Sequence, residues 1–336
     1  MRSARRQGVS GEGPLTSTSH VSRELLASHG PHLAPPATFN HQPVMLEEVA
    51  ALLAGCARIL DSTVGAGGHA ARLVATGARV LGLDRDPEAV LAAGAALAGA
   101  AEVRRGDFVD APADAAVAAF RPDGILLDLG VSSPQLDDPA RGFSFRPGTA
   151  LDMRMTAGEG PSAAAWLADA GEAELAAAFR EWADERRARA LAREIVRRRA
   201  NRPFETSDDL VGAIRAVLGP RSGPDDFARL FQAVRIAVNG EIERLGRALP
   251  ALLELLSPGG VLAVISYHSG EDRVVKHAFQ AWGRACVCPP QQPVCTCCGR
   301  PLGEILTRRP IRPGPAETDA NPRSRSARLR AFRKAP

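Results

Sequence analysis

Asp61-Ser62-Thr63-Val64-Gly65-Ala66-Gly67-Gly68-His69 follows the apolar run Arg58-Ile59-Leu60, and Asp84 closes the next one, Arg79-Val80-Leu81-Gly82-Leu83. A strand that ends in a glycine-rich turn and opens a helix presents unpaired helix N–H groups, and glycine lets a ligand come close to the backbone. A carboxylate at the end of the following strand, nineteen residues after Gly65, stands where it can accept both hydroxyls of a ribose. The Gly-x-Gly-x-x-Ala spacing through Ala70 also fits a dinucleotide fingerprint, so the glycines alone leave the cofactor open.

Outward from this turn the chain reads as repeated βα units. Residues 58–61 form a strand and 69–75 a helix, preceded by a short helix over 45–53. Residues 79–84 form a second strand, 87–97 an Ala/Leu helix, and 101–105 a third strand. The uninterrupted apolar run 124–129 has the pattern of a strand buried on both faces. Such alternation predicts a doubly wound α/β sheet. It stops at a Pro/Gly/Asp/Arg loop over 137–155, and residues 161–256 read as almost wholly helical. The buried-strand pattern resumes at 260–266, and two short strands, 304–308 and 326–333, suit an edge pair of the same sheet. The expected architecture is a discontinuous α/β domain, 38–137 and 233–336, interrupted by an all-helical insert, 138–232. Residues 1–37, rich in Gly, Ser, Pro and His without periodicity, are expected to be a disordered extension.

The chain has 336 residues, 45% hydrophobic and 24% charged, which suits a soluble protein with a full core. Its longest uncharged apolar stretch, the thirteen residues 89–101, is too short to span a bilayer, so an integral membrane protein is excluded. The formal charge of +4 hides segregation: residues 300–336 carry +7, 180–202 carry +5 and 1–37 carry +2, leaving −10 on the rest. Basic segments on an acidic body are an electrostatic footprint for nucleic acid. The ratio of 40 Arg to 2 Lys reads as genomic base composition, in line with the excess of Ala, Gly and Pro. Five of six cysteines lie between Cys286 and Cys298, unlike the spread framework of a secreted fold. No apolar segment of a signal peptide follows Arg2, Arg5 and Arg6, so a cytoplasmic location is expected.

Three features choose among cofactors. Asp84-Arg85-Asp86-Pro87 caps a helix just after the ribose acid. Gly106-Asp107-Phe108 ends the third strand, where an adenine would lie against Phe108. Pro258-Gly259-Gly260 precedes the late strand. Together they point to a class I S-adenosylmethionine-dependent methyltransferase, Rossmann-like, rather than a dehydrogenase. A second site is expected at Asp128-Leu129-Gly130-Val131-Ser132-Ser133-Pro134-Gln135, at the carboxyl end of the fourth strand, where ligands of open α/β sheets bind. An exocyclic base amine is a poor nucleophile because its lone pair is delocalised. A site for it needs acceptors that hold the N–H bonds and aim the nitrogen, which Asp128, Ser133 and Pro134 on this turn supply.

The whole pattern resembles the ribosomal RNA small-subunit methyltransferase H family (MraW/RsmH) from about residue 40 to residue 334. The resemblance rests on His41-Gln42-Pro43-Val44-Met45-Leu46, the glycine turn ending in His69, residues 124–136, Arg141-Gly142-Phe143-Ser144-Phe145 and Leu151-Asp152-Met153-Arg154-Met155. Further on, Phe231-Gln232-Ala233-Val234-Arg235-Ile236, Ser266-Tyr267-His268-Ser269, Glu271-Asp272-Arg273 and Asn321-Pro322-Arg323 through Arg330 match as well. Gly270, where many members carry a bulkier apolar residue, departs from the pattern. The resemblance implies methylation of the exocyclic N4 of a cytidine in the decoding region of 16S rRNA, with the small ribosomal subunit as partner and a homodimer as one admissible state. It implies a cofactor site of Gly67, Gly68, His69, Asp84, Phe108, Asp128 and Gln135. A DNA amino-methyltransferase, or an inactive RNA-binding assembly factor, are the rival readings.

His268 and Tyr267 follow the late strand, and His268 is a candidate proton acceptor for the methylated ammonium. Residues 181–201 read as one strongly basic helix suited to phosphates. Cys286, Cys288, Cys295 and Cys297, with Cys298 adjacent, could hold zinc, although methyl transfer from a sulfonium needs no metal.

Overall fold

A computed structural model describes residues 43–286, 288, 292, 294, 296 and 299–336, with Ser133 described by its backbone. The expected extension 1–37, and Cys295, Cys297 and Cys298 of the thiol cluster, lie outside the described residues.

Seven strands form one sheet: β1 (Arg58–Asp61), β2 (Arg79–Asp84), β3 (Glu102–Arg105), β4 (Gly124–Asp128), β5 (Val261–Ser266), β6 (Gly303–Ile305) and β7 (Arg328–Lys334). Their order is β3-β2-β1-β4-β5-β7-β6. The first five are mutually parallel, and β7 runs antiparallel to both β5 and β6. The tail strands therefore extend the sheet as expected, with β7 inside it and β6 at the edge.

Helices α1 (Leu46–Leu52), α2 (Gly68–Ala75), α3 (Pro87–Leu97), α4 (Ala115–Phe120) and α5 (Ser133–Asp137) accompany the first four strands. The segment before β5 holds α6 (Ala163–Asp169), α7 (Glu172–Ala183), α8 (Ala188–Arg199), α9 (Ser207–Leu218), α10 (Pro224–Asn239) and α11 (Glu241–Leu255). Helix α12 (Ser269–Trp282) follows β5, and α13 (Pro315–Ala320) precedes β7.

The strand patterns explain the layering. Alternate residues of each central strand face opposite sides: Leu60, Leu81, Leu83, Ile125, Leu127, Leu262 and Val264 pack with α11 and α12. Ile59, Val80, Leu126, Ala263 and Ile265 pack with α1, α2 and α3. Both faces are covered, so the runs are continuously apolar. A third core unites Leu167, Phe179, Leu191, Ile195, Leu210, Ile214, Leu230 and Phe231 of α6–α10 with Phe143, Leu151, Met153 and Met155 from the loop after α5. Helix α10 runs unbroken through 232 and 233, and the chain turns back toward the sheet at Gly240 (φ 59).

The basic helix expected over 181–201 is two helices. Helix α7 ends at Ala183 and Asp184 takes a left-handed conformation, φ 49. The cause is Glu185, which is buried and bonded at 2.5 Å to Arg229 of α10. Holding that carboxylate inward breaks the helical path, and α8 restarts at Ala188.

Candidate active site

The carboxyl ends of β1, β2 and β4 converge where the strand order reverses between β1 and β4, the usual ligand position of such sheets. Gly67 caps α2 at φ 87, a conformation that suits glycine. A Cβ on Gly68 would lie 2.3 Å from Pro43 Cγ, so the N-terminal segment packs directly on the turn. Asp84 steadies the turn as well: Oδ2 accepts the Gly65 N–H at 3.0 Å and Oδ1 the Asp86 N–H at 2.9 Å. Burial pushes its carboxyl above the ordinary value against those two bonds. Asp84→Ala is expected to weaken cofactor binding by about 1–3 kcal/mol, the range for polar partners left unpaired; calorimetric titration checks it, and unchanged affinity places the cofactor elsewhere.

His69 is buried, with Nε2 2.9 Å from the Val44 carbonyl oxygen and Nδ1 3.7 Å from Asp128 Oδ2. A ring nitrogen facing a carbonyl must donate, so Nε2 carries the proton and Nδ1 faces the acid. Asp128 is held from three sides. Its N–H donates to Thr63 Oγ1 at 2.6 Å, and its Oδ1 accepts the Tyr267 hydroxyl at 2.9 Å. Burial, then the Asp128 charge, holds that hydroxyl well above the phenol range, so it stays a donor. Phe108 is half-buried at the end of β3, and beside it Asp107 is ion-paired with Arg244 of α11 and, at 3.7 Å, Arg85.

The Ser-Ser-Pro-Gln turn is the start of α5. Ser132 accepts the Gln135 N–H, while Gln135 Oε1 accepts the Ser132 N–H at 3.0 Å. Ser133 and Pro134 open the helix; the Ser133 side chain lies outside the described atoms. The Gln135 amide donates to Asp86 Oδ2 at 2.9 Å and to the Met155 carbonyl at 3.2 Å. It thus ties the turn to the start of α3, a linking role beside the cofactor contact the resemblance implies.

Several residues of the site escaped the sequence reading. Asp61 is 1% exposed, and its Oδ2 has no hydrogen-bond partner. Burial raises its carboxyl to about 7 against the opposing pull of His69 and the Thr63 N–H, with Asp128 and Asp84 adding to the rise. Arg141, also buried, donates to the Met155 carbonyl at 2.8 Å and pairs with Asp86 at 2.8 Å and Glu88 at 3.0 Å. Asn239, at the end of α10, clamps the same loop: its Oδ1 accepts the Met155 N–H at 2.9 Å and its Nδ2 donates to the Met153 carbonyl at 2.8 Å. Between them Met153 sits at φ 59, strain that those bonds hold in place. The polar pattern of 141–155 was visible in the sequence, but Glu88 and Asn239, which hold it, lie 53 to 86 residues from their partners in it.

His268 is the buried N-cap of α12, and both ring nitrogens face Glu271. Glu271 also accepts the Tyr267 N–H at 2.8 Å. Burial alone would raise Glu271, but His268 and Arg235 outweigh it and hold the acid below the ordinary range. Glu241, His268 and Glu271 lie close enough together for a cation. Arg235, bidentate on Glu241 at 2.8 Å, already supplies the positive charge there, which makes this an ion-pair network. The structure thus brings Tyr267 to Asp128 and gives His268 to the α12 cap.

Residues 38–335 match the family model of the MraW methylase family. The chain belongs to that family. It is similar to the ribosomal RNA small subunit methyltransferase H of Gemmatimonas aurantiaca, 57% identical over 302 residues that cover 88% of this chain and 95% of that protein. To the protein of that name from Rubrobacter xylanophilus it is 48% identical over 319 residues, 89% of this chain and 97% of the other. Among solved structures it is similar to a putative rRNA methylase from Clostridium thermocellum, TM-score 0.37 and 11% identity over 86% of this chain and 94% of that one. As a member of the MraW family the chain is a methyltransferase of class I fold that uses S-adenosylmethionine.

The residues present suit that cofactor. It is a cation with ribose hydroxyls, and the cleft gathers Asp61, Asp84 and Asp128, one of them with an orphaned buried oxygen. A positive charge bound among these acids would lower the Asp61 pKa from about 7, and binding would then release a proton. Affinity should therefore rise with pH through about 7. Calorimetry at pH 7 in buffers of different ionisation enthalpy should show proton release, which Asp61→Asn should abolish.

Proposed function

We propose that this MraW-family enzyme transfers a methyl group from S-adenosylmethionine to the exocyclic N4 amine of a cytidine in 16S rRNA. The observation that carries this reading is Asp128, an acid fixed by Thr63 and Tyr267 at the mouth of the cofactor cleft, beside the rigid Ser132–Gln135 turn. The cofactor, when bound, supplies an electrophilic methyl group on sulfur. Gly67, Gly68, Asp84 and Phe108 would hold it, with His69 shaping the turn. Asp128 accepts an N–H of the amine and aims its nitrogen, while the turn excludes water and limits rotation. The extra proton leaves the methylated nitrogen toward Asp128 or solvent, with Tyr267 keeping the carboxylate in register.

The helical segment 138–232 is read as the RNA-recognising part. Arg186 just before α8, and Arg189 and Arg193 on it, are exposed, while Arg197 and Arg198 pair with Glu194, whose carboxyl those arginines hold at about 2. Arg189 and Arg193, one helical turn apart, present charge on one face. Arg189→Gln/Arg193→Gln should weaken 16S rRNA binding several-fold and lower its salt dependence, with cofactor affinity unchanged; filter binding against salt checks this.

No helix among the described residues is long and apolar enough to cross a membrane. We place the reaction in the cytoplasm, and sedimentation of the purified chain distinguishes monomer from homodimer. Transfer of labelled methyl groups to small ribosomal subunits, against cytosine-bearing duplex DNA, tests the substrate. Incorporation into DNA alone would overturn it.

A further inference from the structure

The far end of the sheet carries a feature that the methyl-transfer site does not use. At the amino ends of β1 and β2, a cleft of about 210 Å³ is lined by Arg58, Arg79, Ala119, Phe120 and Arg121. Arg58 and Arg79 are register partners on adjacent strands, so their side chains rise side by side. Arg58 is aimed by its neighbours: Nε donates to the Arg121 carbonyl at 2.8 Å, and Asp123 stands 3.8 Å from its Nη2. The Arg79 guanidinium lies over the Phe120 ring, 5.8 Å from its centroid. Asp123 offsets one of the three charges and spends its Oδ1 on the Arg58 N–H.

Arg121 supplies the second observation. It terminates α4 in a left-handed conformation, φ 50, the position where helices favour glycine. Ala98 and Asp184 close α3 and α7 in the same conformation, so it serves as a helix cap, and the contacts of Arg121 to Arg58 and Ser257 are made by its carbonyl alone. What the residue contributes beyond its backbone is a guanidinium at the rim of the cleft.

Planar guanidinium groups around an aromatic ring bind phosphate through paired N–H bonds and offer a surface for an unstacked base. Along β2 the cleft lies about 17 Å from Asp84, five residues at the strand rise. We propose that this cleft binds a phosphodiester group of the rRNA substrate, a contact at the amino-terminal end of the sheet remote from the methylated base. The inference rests on rRNA being the substrate.

Arg79→Gln/Arg121→Gly tests it. Glycine suits the turn at 121, so the variant should keep the thermal midpoint and cofactor affinity of the parent. Its binding to naked 16S rRNA should weaken about three- to tenfold, with the slope of log affinity against log salt smaller by about one. Unchanged affinity and slope, with the parent chain binding 16S rRNA, overturn the inference alone. A parent chain that neither binds nor methylates 16S rRNA overturns the substrate reading beneath it. A loss confined to assembled subunits would assign the cleft to an acidic protein surface. Competition by AMP in place of RNA would assign it to a free nucleotide. Either result would contradict the proposal.

Discussion

Arg141→Ala is expected to destabilise the folded chain by about 3–5 kcal/mol, the range for breaking a buried ion pair from one side. The substitution leaves Asp86, 2% exposed, without its counter-charge, and frees the Met155 carbonyl from one of its two donors. It also removes one of the two links, the other being Gln135, between the start of α3 and the loop that holds Met153. Arg141→Lys should recover little, because one ammonium cannot span Asp86, Glu88 and the Met155 carbonyl as a guanidinium does. Urea unfolding followed by circular dichroism measures both. A loss below about 1 kcal/mol would mean that the loop is held chiefly by Asn239 and by its apolar contacts.

The second large effect is expected at Asp128. Asp128→Asn preserves an acceptor for the Tyr267 hydroxyl but removes the charge, and should lower kcat by about 10²-fold or more, within the range for groups that manage protons in a transition state. Cofactor affinity should fall as well, since Asp128 is one of the three acids of the cleft, so turnover is compared at saturating cofactor. Tyr267→Phe, which frees the carboxylate to rotate, should cost about tenfold in kcat and leave cofactor binding intact. His268→Asn should act on stability more than on turnover, since the imidazole caps α12 and meets Glu271. Single-turnover methyl transfer separates these outcomes. Near-parental turnover in Asp128→Asn would remove that residue from the chemistry.

The fold was legible because its signals are local. Strands β1 and β2 and helix α3 fall on the residues expected from sequence, since buried parallel strands read as continuous apolar runs and Asp86-Pro87 is a helix start in itself. The break at Asp184 was not legible, because it depends on Arg229 reaching Glu185 from 44 residues away. The site divides in the same way. The glycine turn and Asp84 announce themselves by spacing. Asp61 looked like the end of a strand, and only its burial among other acids marks it out. The pairs Asp107–Arg244 and Tyr267–Asp128 join residues 137 and 139 apart, and no periodicity encodes such meetings. The contact of His268 with Glu271 spans only three residues, yet its capping geometry was not legible without the side-chain positions.

The central claim is the identity of the methylated atom. Small ribosomal subunits lacking the modification, incubated with this chain and S-adenosylmethionine, can be digested to nucleosides and mapped by mass spectrometry. The account predicts N4-methylcytidine at a single position of 16S rRNA, abolished by Asp128→Asn. Methylation at carbon-5 of cytosine, on a ribose hydroxyl, or nowhere in the 16S rRNA would contradict it.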